Sequence, residues 1–161
     1  MPDTNKAVTF ETLKARSPHS LTGSAKDAEA FLKTLFQEDE FICIGGVKNN
    51  HPCQVRSYLN RLDSLGEYIT INPFTPDTTR SDKNVAFYRH MLVEFDIADK
   101  EKAMADPVFL QQELEKQAGF WMAMLDKGVP IVSLTYSGSK SIHALFRVNV
   151  PDAATWKREI E

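Results

Sequence analysis

Glu94 and Asp96 stand two residues apart in the segment Met91-Leu-Val-Glu-Phe-Asp96, and His143 follows later, at the end of the run Tyr136-Ser-Gly-Ser-Lys-Ser-Ile-His143. In an extended chain successive side chains alternate faces, so Glu94 and Asp96 share one face while Val93, Phe95 and Ile97 share the other. Two neighbouring carboxylates on an open face are costly unless positive charge lies between them. A divalent cation carrying a phosphate ligand supplies that charge. Ser137, Gly138, Ser139, Lys140 and Ser141 complement it. Small residues let backbone N–H groups approach an anion, and hydroxyls and an ammonium add donors suited to a triphosphate. The types and spacing predict a metal–nucleotide site.

The elements that must position these residues read as β-α-β-β-α. A strand carries Glu94 and Asp96. Asp106 and Pro107 then open a helix with Leu110, Leu114, Ala118, Trp121 and Leu125 on one stripe, and Lys127-Gly128 closes it. Strands follow at 131–136 and 142–150, joined by the Ser/Gly turn, and Pro151-Asp152 starts another helix. This is the split βαβ, ferredoxin-like or RRM-like order without its last strand. In that topology the first and third strands are neighbours, so the histidine strand adjoins the acidic one. Ile142, Ala144, Phe146 and Val148 face the helices, whereas His143, Leu145 and Arg147 alternate onto the open face beside Glu94 and Asp96.

The first half reads as α-β-α-β. A short strand at 7–10 precedes a helix capped by Ser24, with Asp27 in its first turn and Ala28, Phe31, Leu32, Leu35 and Phe36 on its buried face. A strand at 41–44 stops at Gly45-Gly46, a helix covers 55–62, and a strand at 68–71 ends at Asn72-Pro73. Residues 72–83 are poor in apolar side chains and form a long connection. The fold class is therefore α/β (α+β). An N-terminal α/β module at 1–83 packs on an RRM-like module at 84–161 that carries the site, the two making one catalytic domain fragment.

Composition excludes several classes. The chain has 161 residues, 42% hydrophobic and 25% charged, which suits one domain or two small modules sharing a core. Its formal charge of −3 argues against a general nucleic-acid coater, which would be basic. Local positive charge remains in Arg80, Lys83, Arg89 and His90, and in Lys140 and Arg147; singly, each reads as solvated surface. Apolar runs are too short for a membrane span and the N-terminus lacks a signal-peptide core, which predicts a cytoplasmic protein with no membrane partner. Cys43 and Cys53 read as two reduced thiols in or near a core.

Two motifs carry a resemblance. Glu94-Phe95-Asp96, and Ser141-Ile142-His143 after a glycine-containing turn, resemble the acidic and Ser-x-His motifs of the archaeo-eukaryotic primase superfamily. Tyr136-Ser137-Gly138 with Lys140 looks most like the primases and primase-polymerases of phages and plasmids. The resemblance covers about residues 25–155. It implies a DNA primase or primase-polymerase-type nucleotidyltransferase domain of a mobile-element replication protein, in which Glu94 and Asp96 bind Mg2+ or Mn2+. Ser141, His143 and Lys140 would hold the phosphates of nucleoside triphosphates, with Ser137 and Arg147 as further nucleotide contacts and Glu94, Asp96 and His143 as the catalytic set. A DNA template and a helicase domain or protein are the implied partners. The family's third acidic motif has no counterpart before Glu161, and Ser139 replaces a common glycine. The expectation is a fragment or a truncated product that polymerises poorly by itself.

Other classes weigh differently. Relaxase-type nucleases need His-x-His and a tyrosine nucleophile, and no His-x-His occurs. An RNA-binding RRM would carry stacking aromatics where Glu94, Asp96 and His143 stand. A noncatalytic nucleic-acid-binding or regulatory domain built on a primase-derived fold stays open, because fold does not fix function.

Overall fold

The computed structural model describes residues 8–46 and 48–160, and it is a mixed α+β protein. Its chain forms two compact units, one from residues 1–20 and 92–145, the other from 21–91 and 146–161. These units do not follow a break at residue 83. Each takes in a short N-terminal piece or a C-terminal return that the sequence keeps far apart. Among the described residues no helix is long and apolar enough to cross a membrane.

The unit built on residues 21–91 starts with α2 (Ala25–Leu35), after α1 (Phe10–Lys14) of the other unit. Ser24 Oγ accepts from the Lys26 N–H, and the Asp27 carboxylate accepts from the N–H groups of Thr22 and Gly23 at 2.9 and 2.7 Å. The Ser24 bond satisfies a donor that helix geometry leaves orphaned, and the bonds from Thr22 above all, with Gly23, hold the Asp27 carboxyl below its ordinary range. Leu32, Leu35 and Phe36 are buried on the predicted face.

The expected strand at 41–44 proves to be two. β1 (Phe41–Ile42) pairs antiparallel with β3 (Cys53–Gln54), and β2 (Ile44–Gly45) pairs antiparallel with β4 (Tyr68–Ile69). Tyr58 explains the switch at Cys43. Its hydroxyl accepts from the Ile44 N–H at 3.1 Å and donates to the Ile42 carbonyl at 3.3 Å, satisfying backbone groups on either side of the break. At the same point Gly66 lies so close to Gly45 that a Cβ on it would sit 2.4 Å from the Gly45 Cα, so only glycine fits there. The expected helix at 55–62 is shorter, α3 (Val55–Leu59), because Arg61 leaves the helical region and a 3₁₀ turn (Leu62–Ser64) follows.

Nor is 72–83 a plain solvated link. Asn72 and Phe74 are buried, and Phe74 bridges to both Phe41 and Val85. The Asn72 carboxamide accepts from the N–H groups of Arg89 and His90 and donates to the His90 carbonyl, so one side chain does the work of a paired strand along that stretch. Arg89 and His90, which the sequence left available for phosphate, are committed here. The Arg89 guanidinium pairs with Glu40 and donates to the Leu35 carbonyl, and His90 is completely buried.

In the unit built on 92–145, α1 (Phe10–Lys14) replaces the expected strand at 7–10 from Phe10 onward; Ala7 lies outside the described residues. Thr9 and Thr12 cap each other reciprocally, each side chain accepting from the other's backbone N–H. α4 (Lys100–Ala105) is capped by Asp99 and buries Ala103. Then α5 (Pro107–Asp126) starts with Asp106 accepting from Val108 and Phe109 N–H groups and ends at Gly128, whose φ of +73° is the left-handed closure that glycine allows. Leu114, Ala118 and Trp121 are buried along its stripe.

The third sheet holds β5 (Tyr88–Val93), β6 (Ile131–Tyr136) and β7 (Ile142–Val150) in the order β5-β7-β6. The histidine strand therefore adjoins the strand that leads into the acidic pair. The unit boundaries fall within β5 and β7. α6 (Ala153–Glu159) follows, with Asp152 accepting from the Thr155 N–H.

Candidate functional site

The acidic pair lies just past the C-terminal end of β5 rather than on the strand, since the ladder stops at Val93. Alternation nonetheless continues. Leu92, Glu94 and Asp96 are exposed, whereas Ile97 is 2% exposed and Phe95 packs edge-on against Phe120 and on Trp121 of α5, with ring centroids 4.7 and 5.1 Å away. Phe95 and Ile97 are the anchors. Burying each such side chain contributes roughly 1.5–3 kcal/mol, enough to hold an unpaired extended segment with both carboxylates turned to water.

His143 reaches Glu94 of the acidic pair. Its Nε2 lies 2.8 Å from Glu94 Oε2 and 2.9 Å from Ser141 Oγ. An ionised carboxylate only accepts, so Nε2 carries the hydrogen and donates to both oxygens. The Ser141 hydroxyl then donates to Ser137 Oγ at 3.3 Å, and Ser137 Oγ also accepts from the Ser141 and Ser139 N–H groups. The hydrogens thus run one way, from the imidazole through Ser141 to Ser137.

The turn that carries these groups is built by backbone and by α5. The Ser137 N–H donates to the Ser141 carbonyl at 2.9 Å, Gly138 takes a φ of +80°, and the Tyr136 hydroxyl donates to the Ser139 carbonyl. Gln117 clamps the turn's far end: its carboxamide accepts from the Ile142 N–H at 2.8 Å and donates to the Lys140 carbonyl at 3.2 Å. One helical turn on, the Trp121 indole donates to the Ile142 carbonyl. Gln117 was not read as a site residue. Its signal was there, as a polar side chain interrupting the apolar stripe between Leu114 and Ala118.

Asp96 faces two ammonium groups. Lys100 Nζ lies 3.1 Å and Lys140 Nζ 3.7 Å from the same oxygen, Oδ1. The Lys100 hydrogen bond and charge, with Lys140 behind, hold the Asp96 carboxyl below its ordinary range, and Asp96 in turn raises Lys100. Lys100 is the second residue that sequence reading missed, because α4 itself went unrecognised.

Glu94, Asp96, Ser137, Lys140, Ser141 and His143 therefore all belong to one unit, and distances of hydrogen-bond or ion-pair range join them into two small networks. Arg147 belongs to the other unit, where its guanidinium donates to the Thr34 carbonyl at 3.4 Å. Among the described residues no three His, Cys, Asp or Glu side chains converge as a metal-holding group. What the site offers is two carboxylates, with 54% and 65% of their side chains exposed. That donor set fits Mg2+ or Mn2+, which keeps several waters and takes one or two carboxylates together with phosphate oxygens. Cys43, by contrast, is buried, which pushes its thiol pKa up and leaves it unreactive. No protein-family model, no curated protein and no solved structure matches this chain.

Proposed function

We propose that this chain is a catalytic module of a primase or primase-polymerase-type nucleotidyltransferase from a phage or plasmid, acting in the cytoplasm on nucleoside triphosphates and a DNA template beside a helicase domain or protein. The observation that carries the reading is the 2.8 Å contact between His143 and Glu94, with Asp96 set between two lysines two residues on. The order β5-β7-β6, with α5 between the first two of these strands in sequence, supports an RRM-like arrangement.

Glu94 and Asp96 are the residues that would hold Mg2+ or Mn2+, which when bound eases approach of a 3′ hydroxyl to an anionic α-phosphate and neutralises the departing pyrophosphate. The chain's own groups do the rest. His143 Nε2 is already a donor, locked in that tautomer by two acceptors, and so supplies a hydrogen bond to charge that develops on phosphate oxygens. Lys140 adds an ammonium from the turn. Ser137 and Ser141 supply hydroxyls, and their internal bonds fix the turn before any ligand arrives, which lowers the ordering cost of binding.

Calorimetric titration of a nucleoside triphosphate with Mn2+ present tests this. Wild type should bind only with the metal, and His143→Ala should bind at least about tenfold more weakly. Binding that ignores both the metal and His143 removes the reading. It would favour instead a noncatalytic nucleic-acid-binding or regulatory domain, a reading supported by the lysine and imidazole donors already paired with the two carboxylates.

A further inference from the structure

Lys100 does more than decorate the surface of α4. We propose that it is a second phosphate-binding ammonium, paired with Lys140 across Asp96, and that it occupies Asp96 as a stand-in cation until metal and nucleotide arrive together. This deepens the nucleotidyltransferase reading and rests on it.

Three observations lead here. First, Lys100 and Lys140 come from different elements, the first turn of α4 and the turn before β7, yet their ammonium groups converge on one oxygen of Asp96. An ordinary i,i+4 surface pair has one cation; this carboxylate has two. Second, two carboxylates and two ammonium groups cancel in formal charge before any ligand is present, with both lysines on Asp96 and the His143 imidazole on Glu94. Adding a divalent cation to that balanced cluster leaves a surplus of positive charge, which a triphosphate chain neutralises and a bare metal ion does not. Third, both lysines reach solvent. Lys100 keeps 51% of its side chain exposed and Lys140 34%, and each is a flexible point charge able to leave a carboxylate for a nearby phosphate.

α4 places the group. Asp99 caps the helix through the Lys102 N–H at 2.9 Å and Ala103 is buried, so Lys100 sits at a fixed first position four residues after Asp96. The consequence is opposite in sign for two ligands. Lys100 competes with a metal ion for Asp96 and cooperates with the same ion in holding a polyphosphate.

The test uses Lys100→Gln, Lys100→Arg, Lys140→Gln and, as a control on α5, Lys116→Gln. Free Mn2+ is followed by its electron paramagnetic resonance signal, and nucleoside triphosphate and monophosphate binding by calorimetry with Mn2+ present. Lys100→Gln should bind Mn2+ alone about twofold to threefold more tightly, and the triphosphate about tenfold more weakly. The monophosphate should bind as to wild type, and Lys100→Arg should recover most of the triphosphate affinity. If Lys100→Gln binds triphosphate as wild type does while Lys140→Gln is weakened, Lys100 is a surface partner of Asp96 only, and the nucleotidyltransferase reading stands without it. Should wild type itself show no metal-dependent nucleotide binding, both ideas fall together.

Discussion

Two polar clusters lie a few residues apart along β5 and its extension, and they are made of similar parts. One joins Arg89, Glu40, Asn72 and His90; the other joins Glu94, Asp96, His143 and two lysines. Each has a histidine and an ion pair. They differ in water. Arg89 and Glu40 retain only 20% and 11% side-chain exposure and His90 none, whereas Glu94 and Asp96 keep more than half. Desolvation makes the first cluster rigid, because every group that loses its partner there is left stranded. The second stays adjustable, since solvent replaces any partner that leaves. Burial, and not residue type, separates a scaffold from a site in this chain.

That contrast can be broken by substitution. The largest effect should come from Glu40→Ala, which strands a half-buried guanidinium and should cost about 3–5 kcal/mol in urea unfolding. Glu94→Ala, measured the same way, should leave the midpoint unchanged; equal losses would erase the distinction. Next comes Asn72→Ala. It removes the partner of three backbone groups at Arg89 and His90 and should cost about 1–3 kcal/mol, again by urea denaturation.

His90 sharpens the comparison through pH. Its Nδ1–H donates to the Ile71 carbonyl at 2.9 Å, while Nε2 is buried without a partner. Burial, above all, lowers its pKa below the ordinary 6.5, with Arg147 and Arg89 adding to the effect and the Ile71 bond and Glu40 opposing it. The folded state then binds fewer protons than the unfolded one. Stability should be complete above pH 6.5 and fall as pH drops from there toward the depressed value. His90→Phe should flatten that slope, which thermal melts from pH 5 to 8 would read. The smallest structural effect and the cleanest functional one belong to Asp96→Asn, which should melt as wild type does yet lose Mn2+-dependent triphosphate binding.

Much of this was legible because it is local. β6 and β7 span the predicted 131–136 and 142–150, and α5 begins at Asp106-Pro107 and closes at Gly128, since period, cap and stop signals all lie within the segment they define. The alternating exposure of residues 92–97 was legible for the same reason, even though the ladder ends before Glu94. What escaped was set by distant partners. The strand at 41–44 divides because Tyr58 reaches into it, and Phe74 is interior because Phe41 and Val85 flank it. Neither is written in its neighbours. Leu145 was expected on the open face with His143 but is 5% exposed, so an outward register does not guarantee water. Of the strand expected at 7–10, Phe10 is helical for a local cause, the reciprocal Thr9 and Thr12 cap.

Gln117 and Trp121 stand four residues apart on α5 and grip Lys140 and Ile142 from beneath. The helix is therefore an indexing device as well as a cover. One residue inserted between Leu114 and Gln117 would rotate the two halves of α5 by about 100°. The chain could then seat its apolar stripe or present its serine-rich loop at the right height, and not both. Lineages descended from this sequence should accordingly tolerate length changes at the ends of α5 far more readily than in its middle.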